Sequence, residues 1–242
     1  MSSAGSPVSG SDRGSGNDQG AGTDLPEGAL GWMHDLARWI GTWCFVPVLR
    51  VRVHHRDRIP ASGPVVLVAN HSSFVDGPLL MGLIGRRVVF LVKQEMFRGP
   101  FAVLLPWIGQ LAVRRGAPDR RPLTAALDVL SGGGMVAVFP EGTRGSGEVA
   151  AAQQGAAWLA RTGGAPMLPV VCRGTRRPEG SGRRFRPRVD VLVGKALPAP
   201  QGRGRAELAA ATEQVRDALS ALVAELDEMR GRGEPGRDAS ET

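Results

Sequence analysis

The chain has 242 residues, of which 42% are hydrophobic and 22% charged, and its formal net charge is +7. This composition is typical of a globular domain with a buried core, and it excludes a mostly disordered chain, a collagen and a disulfide scaffold. Two cysteines only are present, which favours a reducing compartment. Residues 1–29 and 201–242 each carry a net −3, which leaves +13 for residues 30–200. A body this basic predicts an anionic partner: a phosphorylated metabolite, an acidic membrane face or nucleic acid.

Residues 1–28 are rich in Ser, Gly and Asp and predict a disordered N-terminal tail, because they offer little apolar area to bury. They show no basic start followed by an apolar run, so we expect no secretory signal. No stretch of the chain reaches the roughly 18 uncharged apolar residues that a membrane-spanning helix needs. The sequence therefore predicts that any binding of this protein to a membrane is at its surface, without a membrane-spanning helix.

Residues 29–48 predict an amphipathic helix that docks on a membrane interface. Trp32, Leu36, Trp39 and Trp43 fall on one face at helical spacing. Tryptophan favours the headgroup boundary because its ring is apolar and its N–H needs a polar partner. The alternative is that these tryptophans cover the core of the domain that follows.

Residues 49–230 alternate short apolar runs with helical stretches, which predicts an α/β fold with a mixed, largely parallel sheet flanked by helices. The predicted buried strands are 65–69, 88–92, 135–139, 167–171 and 189–193, and a further short strand falls within 109–115. The predicted helices are 77–84, 100–107, 121–131, 150–162 and 205–230. Residues 231–242 predict a disordered C-terminal tail.

The first group of candidate site residues comes directly after the strand 65–69, where α/β sheets usually build their sites. Here stand Asn70, His71 and, five residues after the histidine, Asp76. A histidine in this place can act as a general base if a carboxylate holds its other ring nitrogen. The alternative is that Asn70 and Asp76 only cap a turn and the next helix.

Two further groups suit an anion. Phe139–Arg144 reads FPEGTR after a strand; Gly142 permits unusual backbone angles, and Thr143 and Arg144 can donate hydrogen bonds to phosphate. The short strand within 109–115 ends in two arginines, and a guanidinium fork matches phosphate. The alternatives are an ordinary strand-to-helix turn and a solvated basic edge.

In this order, these residues resemble the motifs of the 1-acyl-sn-glycerol-3-phosphate acyltransferases, within the glycerolipid acyltransferase superfamily. Asn70–Asp76 matches the family's NHxxxxD motif, Lys93–Phe97 resembles its KxEL-type motif, and Gly109–Arg115 resembles its second motif. Phe139–Arg144 matches FPEGTR without a change, and Met167–Val170 resembles the last, VPV-like strand. The resemblance covers about residues 35–200.

The resemblance implies acyl transfer from a thioester, acyl-CoA or acyl carrier protein, to a lysophospholipid hydroxyl. His71 would take the proton of the attacking hydroxyl and Asp76 would orient it. Lys93 could donate to the oxyanion, or it could pair with Glu95 instead. The implied substrate-binding residues are Asn70, Arg115, Glu141, Gly142, Thr143 and Arg144, with the two arginines on the acceptor phosphate.

The sequence departs from the family pattern at three places. Arg114 stands where an Asp is usual, Gly145–Gly147 displaces a common Ser, and Ala152–Gly155 lacks a cation often found there. Arg114 could replace that charge. These departures keep another lysolipid acceptor open, such as a lyso-ornithine lipid or a lysophospholipid with a full headgroup.

A catalytically quiet membrane-binding or nucleic-acid-binding protein is the alternative from another class. The intact His71, Asp76 and FPEGTR residues argue against it, as does the lack of a nucleic-acid module's aromatic and zinc spacing. A lipid hydrolase is disfavoured because no GxSxG elbow occurs. We expect neither a cofactor nor a metal site, since the four histidines are scattered, and no nucleic-acid partner. We expect a peripheral protein on the cytoplasmic face of an anionic membrane.

Overall fold

The computed structural model describes residues 24–114, 120–140, 146–176, 185–202 and 204–232, with no side-chain description for residues 46 and 146–153. Within these ranges the α-helices are α1 (Gly31–Val48), α2 (Asp76–Leu83), α3 (Phe101–Trp107), α4 (Arg121–Ser131), α5 (Ser146–Thr162) and α6 (Arg205–Arg232). The strands are β1 (Arg50–His54), β2 (Val65–Ala69), β3 (Val88–Lys93), β4 (Leu111–Val113), β5 (Met135–Val138), β6 (Met167–Arg173) and β7 (Arg188–Val193).

The described strands form one sheet in the order β1-β7-β6-β2-β5-β3-β4. Strands β6, β2, β5, β3 and β4 are parallel to one another. Strand β7 runs antiparallel to β6, and β1 runs parallel to β7. The carboxyl ends of the five parallel strands therefore share one edge of the sheet with the amino ends of β1 and β7. The predicted mixed, largely parallel sheet is confirmed.

Helices cover the sheet on both faces, which explains why the central strands are apolar throughout. Every residue of β2 is buried, as expected for a parallel strand between two layers. On one face, strand side chains such as Val66 and Val68 pack with α4, α5 and α6, where Leu222 is one of the α6 residues in the cluster. On the other face, strand side chains such as Leu67 pack with α1 and α2, where Leu80 is one of the α2 residues in the cluster.

Close backbone approach and a buried histidine fix α1 on this second layer. A Cβ at Gly82 would lie 2.7 Å from the Thr42 amide nitrogen, so α1 and α2 can cross this closely only with glycine there. His34 is fully buried, with Nδ1 2.7 Å from the Ile108 carbonyl oxygen and Nε2 3.3 Å from the Val88 amide nitrogen. Burial lowers the pKa of His34, and this position between a carbonyl and an N–H fits a neutral ring that donates from Nδ1.

The predicted elements agree closely with those observed, apart from one strand and the N-terminal boundary. Strand β1 adds to the predicted strands; its alternating arginines and valines make a short edge strand. Residues 24–28 belong to the fold, since Leu25 is buried against the core, so the fold begins earlier than the predicted tail 1–28 allows. Residues 1–23 and 233–242 lie outside the described residues, while the last helix continues to Arg232.

A helix occupies residues 31–48, and its tryptophans are not a cover for the core. Trp32, Trp39 and Trp43 are 66%, 59% and 60% exposed, so the alternative in which they cap the domain is wrong. No helix among the described residues is long and apolar enough to cross a membrane. The docking of this helix on a membrane stays a prediction.

Candidate active site

The sequence-predicted histidine and aspartate lie together in the turn between β2 and α2. Ring atom Nδ1 of His71 lies 3.5 Å from Oδ2 of Asp76. The same Oδ2 accepts hydrogen bonds from the backbone N–H groups of Ser72 and Ser73, both at 2.7 Å. The carboxylate thus folds the turn back on itself and faces the imidazole. His71 keeps about a third of its side chain exposed, whereas Asp76 has none.

The surroundings of Asp76 keep it ionised. Burial alone would raise the pKa of this carboxyl, but contacts with His71 and Thr175 and the two backbone donors outweigh it. The pKa of Asp76 therefore lies below its ordinary value. An ionised, immobile carboxylate beside Nδ1 favours the tautomer with the proton on Nδ1, which leaves Nε2 free to accept a proton.

Phe139 brings the FPEGTR segment to the histidine. It follows β5, the neighbour of β2, and its ring centroid lies 4.6 Å from that of His71. Phe90 also stacks on Phe139, with ring centroids 5.5 Å apart. The two motifs are thus joined through side-chain packing, which limits how far the imidazole can swing.

Asn70 takes a positioning part rather than the predicted substrate contact. It is 1% exposed, and its side chain donates to the carbonyl of Cys172 at 3.0 Å and accepts from the Cys172 N–H at 2.7 Å. Its amide also lies 3.2 Å from Ser72 Oγ. Asn70 continues the β2–β6 pairing through its side chain, and this fixes the place where the turn between β2 and α2 leaves the sheet.

Lys93 lies at the same edge of the sheet but two strands from β2. It ends β3, which is separated from β2 by β5, so the backbones are about 10 Å apart. Lys93 is exposed, and no contact joins it to His71 within the described residues. The alternative ion pair between Lys93 and Glu95 is also not formed in this part of the chain.

The remaining predicted residues follow strands that end at this edge. Arg115, Glu141, Gly142, Thr143 and Arg144 lie outside the described residues. Their neighbour Arg114 is exposed just after β4 and donates from Nε to the Gln94 side chain at 2.9 Å. A cation is therefore held beside the end of β3, at the site's edge.

Thr175 is a site residue that the sequence did not reveal. It comes two residues after β6, and its buried Oγ1 has no hydrogen-bond partner within the described ranges, like Oδ1 of Asp76. The hydroxyl contributes to the lowered pKa of Asp76. Nothing local marks Thr175, because it is about 100 residues away in sequence and only the β2–β6 pairing brings it close.

Large apolar side chains are exposed in the turn between β2 and α2 and on two helices. Phe74, in the same turn as His71, is 65% exposed. The exposed large apolar residues of α1 and α3 are Trp32, Leu36, Trp39, Ile40, Trp43, Val48, Phe101, Val103, Leu104 and Trp107. We call this set the apolar helix face. Its two helices are tied together where the Leu30 N–H donates to the Trp107 carbonyl at 2.8 Å.

Comparisons with known proteins agree on one family. A sequence model of the acyltransferase family matches residues 50–173. The 1-acyl-sn-glycerol-3-phosphate acyltransferase of Bacillus subtilis is 26% identical over 74% of this chain and 91% of its own length. The enzyme of the same name from Pseudomonas aeruginosa is 24% identical, over 80% and 79%. The crystal structure of the 1-acyl-sn-glycerophosphate acyltransferase PlsC from Thermotoga maritima superposes with a TM-score of 0.63 at 25% identity, over 84% of this chain and 81% of that one.

Proposed function

The chain belongs to the acyltransferase family, and we propose that it moves a fatty acyl group from an acyl thioester to the free hydroxyl of 1-acyl-sn-glycerol-3-phosphate, giving phosphatidic acid. The observation that carries this proposal is the His71–Asp76 pair, held by the turn after β2 with the first FPEGTR residue packed on the imidazole. The names of the relatives indicate the acceptor.

The chemistry follows from the atoms of this pair. Nε2 of His71 takes the proton of the acceptor hydroxyl while the hydroxyl oxygen attacks the carbonyl carbon of the thioester. The Asp76 carboxylate stabilises the imidazolium that forms. When the tetrahedral intermediate collapses, the carbon–sulfur bond breaks, and the thiolate receives the proton from His71 and leaves as a thiol. No acyl-enzyme is needed: Cys172 is buried, burial raises the pKa of its thiol, and Cys44 is exposed on α1 rather than in the turn of His71.

Binding of the acceptor phosphate is proposed for Arg115 and Arg144, with Glu141, Gly142 and Thr143 shaping that site. Support comes from their place in the chain, directly after β4 and β5, which both end at the edge of His71. Lys93 is proposed as the donor to the oxyanion, for which its exposed ammonium at this edge is suited. Acyl-CoA or acyl carrier protein is the proposed co-substrate, without a further cofactor.

Peripheral binding to the cytoplasmic face of an anionic membrane is part of the proposal. The apolar helix face offers four exposed indoles, and Phe74 in the turn of His71 is itself 65% exposed. Indole rings are suited to the headgroup boundary, where a lysolipid acceptor resides. Docking of this face would place His71 next to the acceptor's hydroxyl.

The direct test is thiol release from oleoyl-CoA and palmitoyl-CoA, with and without lysophosphatidic acid. The wild type should release thiol only with the acceptor, and His71→Ala should lose about 10²–10⁴-fold of the rate. His55→Asn is a matched control: His55 is exposed outside the site, and asparagine tolerates its φ of 57°.

Each other outcome points elsewhere. Release without acceptor would indicate a thioesterase, and transfer to another lysolipid alone would move the proposal to that acceptor. A His71→Ala variant with unchanged turnover would remove His71 from the role of base.

A further inference from the structure

The edge strand β1 presents a basic face on the side of the sheet away from the apolar helix face. Arg50 and Arg52 are exposed, while the alternating Val51 and Val53 pack on the layer that contains α1 and α2. Successive side chains of a strand point to opposite faces, so both arginines lie on the side of α6. We call this pair, Arg50 and Arg52, the β1 basic pair.

Neighbouring arginines contact a carboxylate, unlike the β1 basic pair. The buried Asp190 carboxylate lies 2.7 Å from Nε of Arg188 and 2.5 Å from Nη1 of Arg230. Arg173 pairs with Asp227 through two contacts of 2.9 and 3.0 Å. By contrast, the guanidinium groups of the β1 basic pair make no hydrogen bond or ion pair within the described ranges. Two adjacent arginine forks without acidic partners are suited to phosphate oxygens.

The β1 basic pair lies at the same edge of the sheet as the catalytic turn. Strand β1 begins beyond the end of β2, because Arg52 pairs with Asp190 and Asp190 with Arg173, three residues past the β6 residue that pairs with Ala69. Three interstrand spacings across the sheet and three residues along it place the backbone of Arg52 about 17 Å from that of Ala69. A pantetheine arm joins the thioester sulfur to its phosphate through about as many bonds as four extended residues, which span about 14 Å, and the side chain of Arg52 can cover the rest.

The two sides of the sheet differ in what they can receive. The apolar helix face lies on the α1 and α2 layer, where a lipid acceptor would lie. The β1 basic pair faces the opposite layer, beside α6, where bulk water rather than lipid is expected. A phosphate bound there would belong to a water-soluble ligand whose arm reaches the turn after β2.

We infer that Arg50 and Arg52 bind the phosphate-bearing end of the acyl thioester donor, which enters from the α6 side while the acceptor enters from the apolar helix face. This inference rests on the proposed function. The phosphate next to pantetheine is common to coenzyme A and to acyl carrier protein, so the shared chemistry is a phosphopantetheine thioester.

The test compares three donors that carry the same palmitoyl group: palmitoyl-CoA, palmitoyl-4′-phosphopantetheine and palmitoyl-pantetheine, which has no phosphate. With lysophosphatidic acid held constant, Arg50→Gln/Arg52→Gln should raise the KM for palmitoyl-CoA about tenfold, as expected from losing charge-assisted phosphate contacts. The KM for palmitoyl-pantetheine and the KM for the acceptor should not change. A raised KM for both phosphate-bearing donors identifies the phosphate next to pantetheine as the group that the arginines bind. A raised KM for palmitoyl-CoA alone identifies the nucleotide phosphates of coenzyme A instead.

A control variant removes the same charge elsewhere. Arg56 and Arg205 are exposed at the opposite edge, after β1 and at the start of α6, and Arg56→Gln/Arg205→Gln should leave all donor constants unchanged. Calorimetric titration with coenzyme A, which involves no acyl transfer, should show a dissociation constant about tenfold higher for Arg50→Gln/Arg52→Gln than for the wild type.

The inference is overturned if Arg50→Gln/Arg52→Gln raises the KM equally for donors with and without phosphate, or if it changes only the acceptor KM. It is also overturned if coenzyme A binds the wild type and this variant with the same affinity. A wild type that transfers no acyl group from any donor, yet binds coenzyme A through these arginines, would instead overturn the proposed function alone.

Discussion

In the turn after β2, Asp76 is fully buried and accepts two backbone N–H groups at 2.7 Å. On the outer side of α1, Trp39 and Trp43 are 59% and 60% exposed, and their ring centroids lie 6.2 Å apart. The first region uses few atoms in fixed positions, and the second uses apolar area. Replacing a single atom of Asp76 should therefore abolish most of the activity of the turn, whereas α1 should lose membrane binding gradually as apolar side chains are removed.

The largest effect should come from Asp76→Asn. The amide has nearly the same shape and its oxygen can still accept the backbone donors, but it carries no charge to stabilise a protonated His71. We expect kcat to fall about 10²-fold or more with little change in the acceptor KM. Steady-state kinetics and a thermal melt separate this loss from unfolding. Asp128→Asn, an exposed aspartate on α4, is the matched control.

A companion change tests whether the charge or the packing of Asp76 matters. Thr175→Val keeps the shape and removes the hydroxyl that helps to lower the pKa of Asp76. We expect a rate loss of only a few-fold, since the charge remains. Should Asp76→Asn cost no more than Thr175→Val, the carboxylate would be a structural element of the turn and not a partner of the base.

The difference between these residues also explains what could be predicted from sequence. The five buried strands were predictable because each is a short apolar run between helical stretches. His71 and Asp76 were predictable because Asp76 follows the histidine by five positions, directly after a strand. Thr175 was not predictable, because its place depends on the pairing of β2 with β6. The arginines of β1 hide the strand, since three of its five residues are arginine or histidine.

Local pattern likewise gives little information on α1's inner side. The stripe of tryptophans identifies the exposed side of the helix, but the full burial of His34 depends on Ile108 and Val88, which are more than 50 residues away. Leu25 is similar: one apolar residue in a Ser- and Gly-rich stretch packs on a core assembled from distant strands. Long-range contacts decide these positions, and no periodicity reports them.

A smaller effect than that of Asp76→Asn is expected on the apolar helix face. Trp39→Ala/Trp43→Ala should lower binding to vesicles of phosphatidylglycerol and phosphatidylethanolamine about tenfold, because two indoles no longer leave water. Sedimentation with vesicles measures this, and quenching of tryptophan fluorescence by brominated lipid should fall in parallel. Phe185→Ala is the control, since Phe185 is 91% exposed but lies outside the apolar helix face. Equal binding by wild type and the double variant would exclude this surface as the docking site.

The smallest effect should be a pH dependence of stability that arises under α1. Because burial lowers the pKa of His34, the unfolded chain binds this proton more readily than the folded one. Stability should therefore be complete above the unfolded pKa of about 6.5 and fall as the pH drops below it, by up to about 1.4 kcal/mol per pH unit. The charged groups that act on the ring are Arg38, Asp35 and Arg87, and the ion pairs between Asp35 and the two arginines do not titrate in this window.

Urea unfolding at pH 7.5, 6.5 and 5.5 measures this slope. A protonated ring can no longer accept the Val88 N–H, so the protein should unfold at lower urea as the pH falls, and His34→Gln should flatten the dependence. The lowered pKa of Asp76 also makes stability fall in acid, but only near and below pH 3.8, its ordinary value, so the two groups separate on the pH axis. If His34→Gln kept the wild-type slope between pH 7.5 and 5.5, the titrating group would lie elsewhere, and α1 would be held by its glycine crossing with α2 instead.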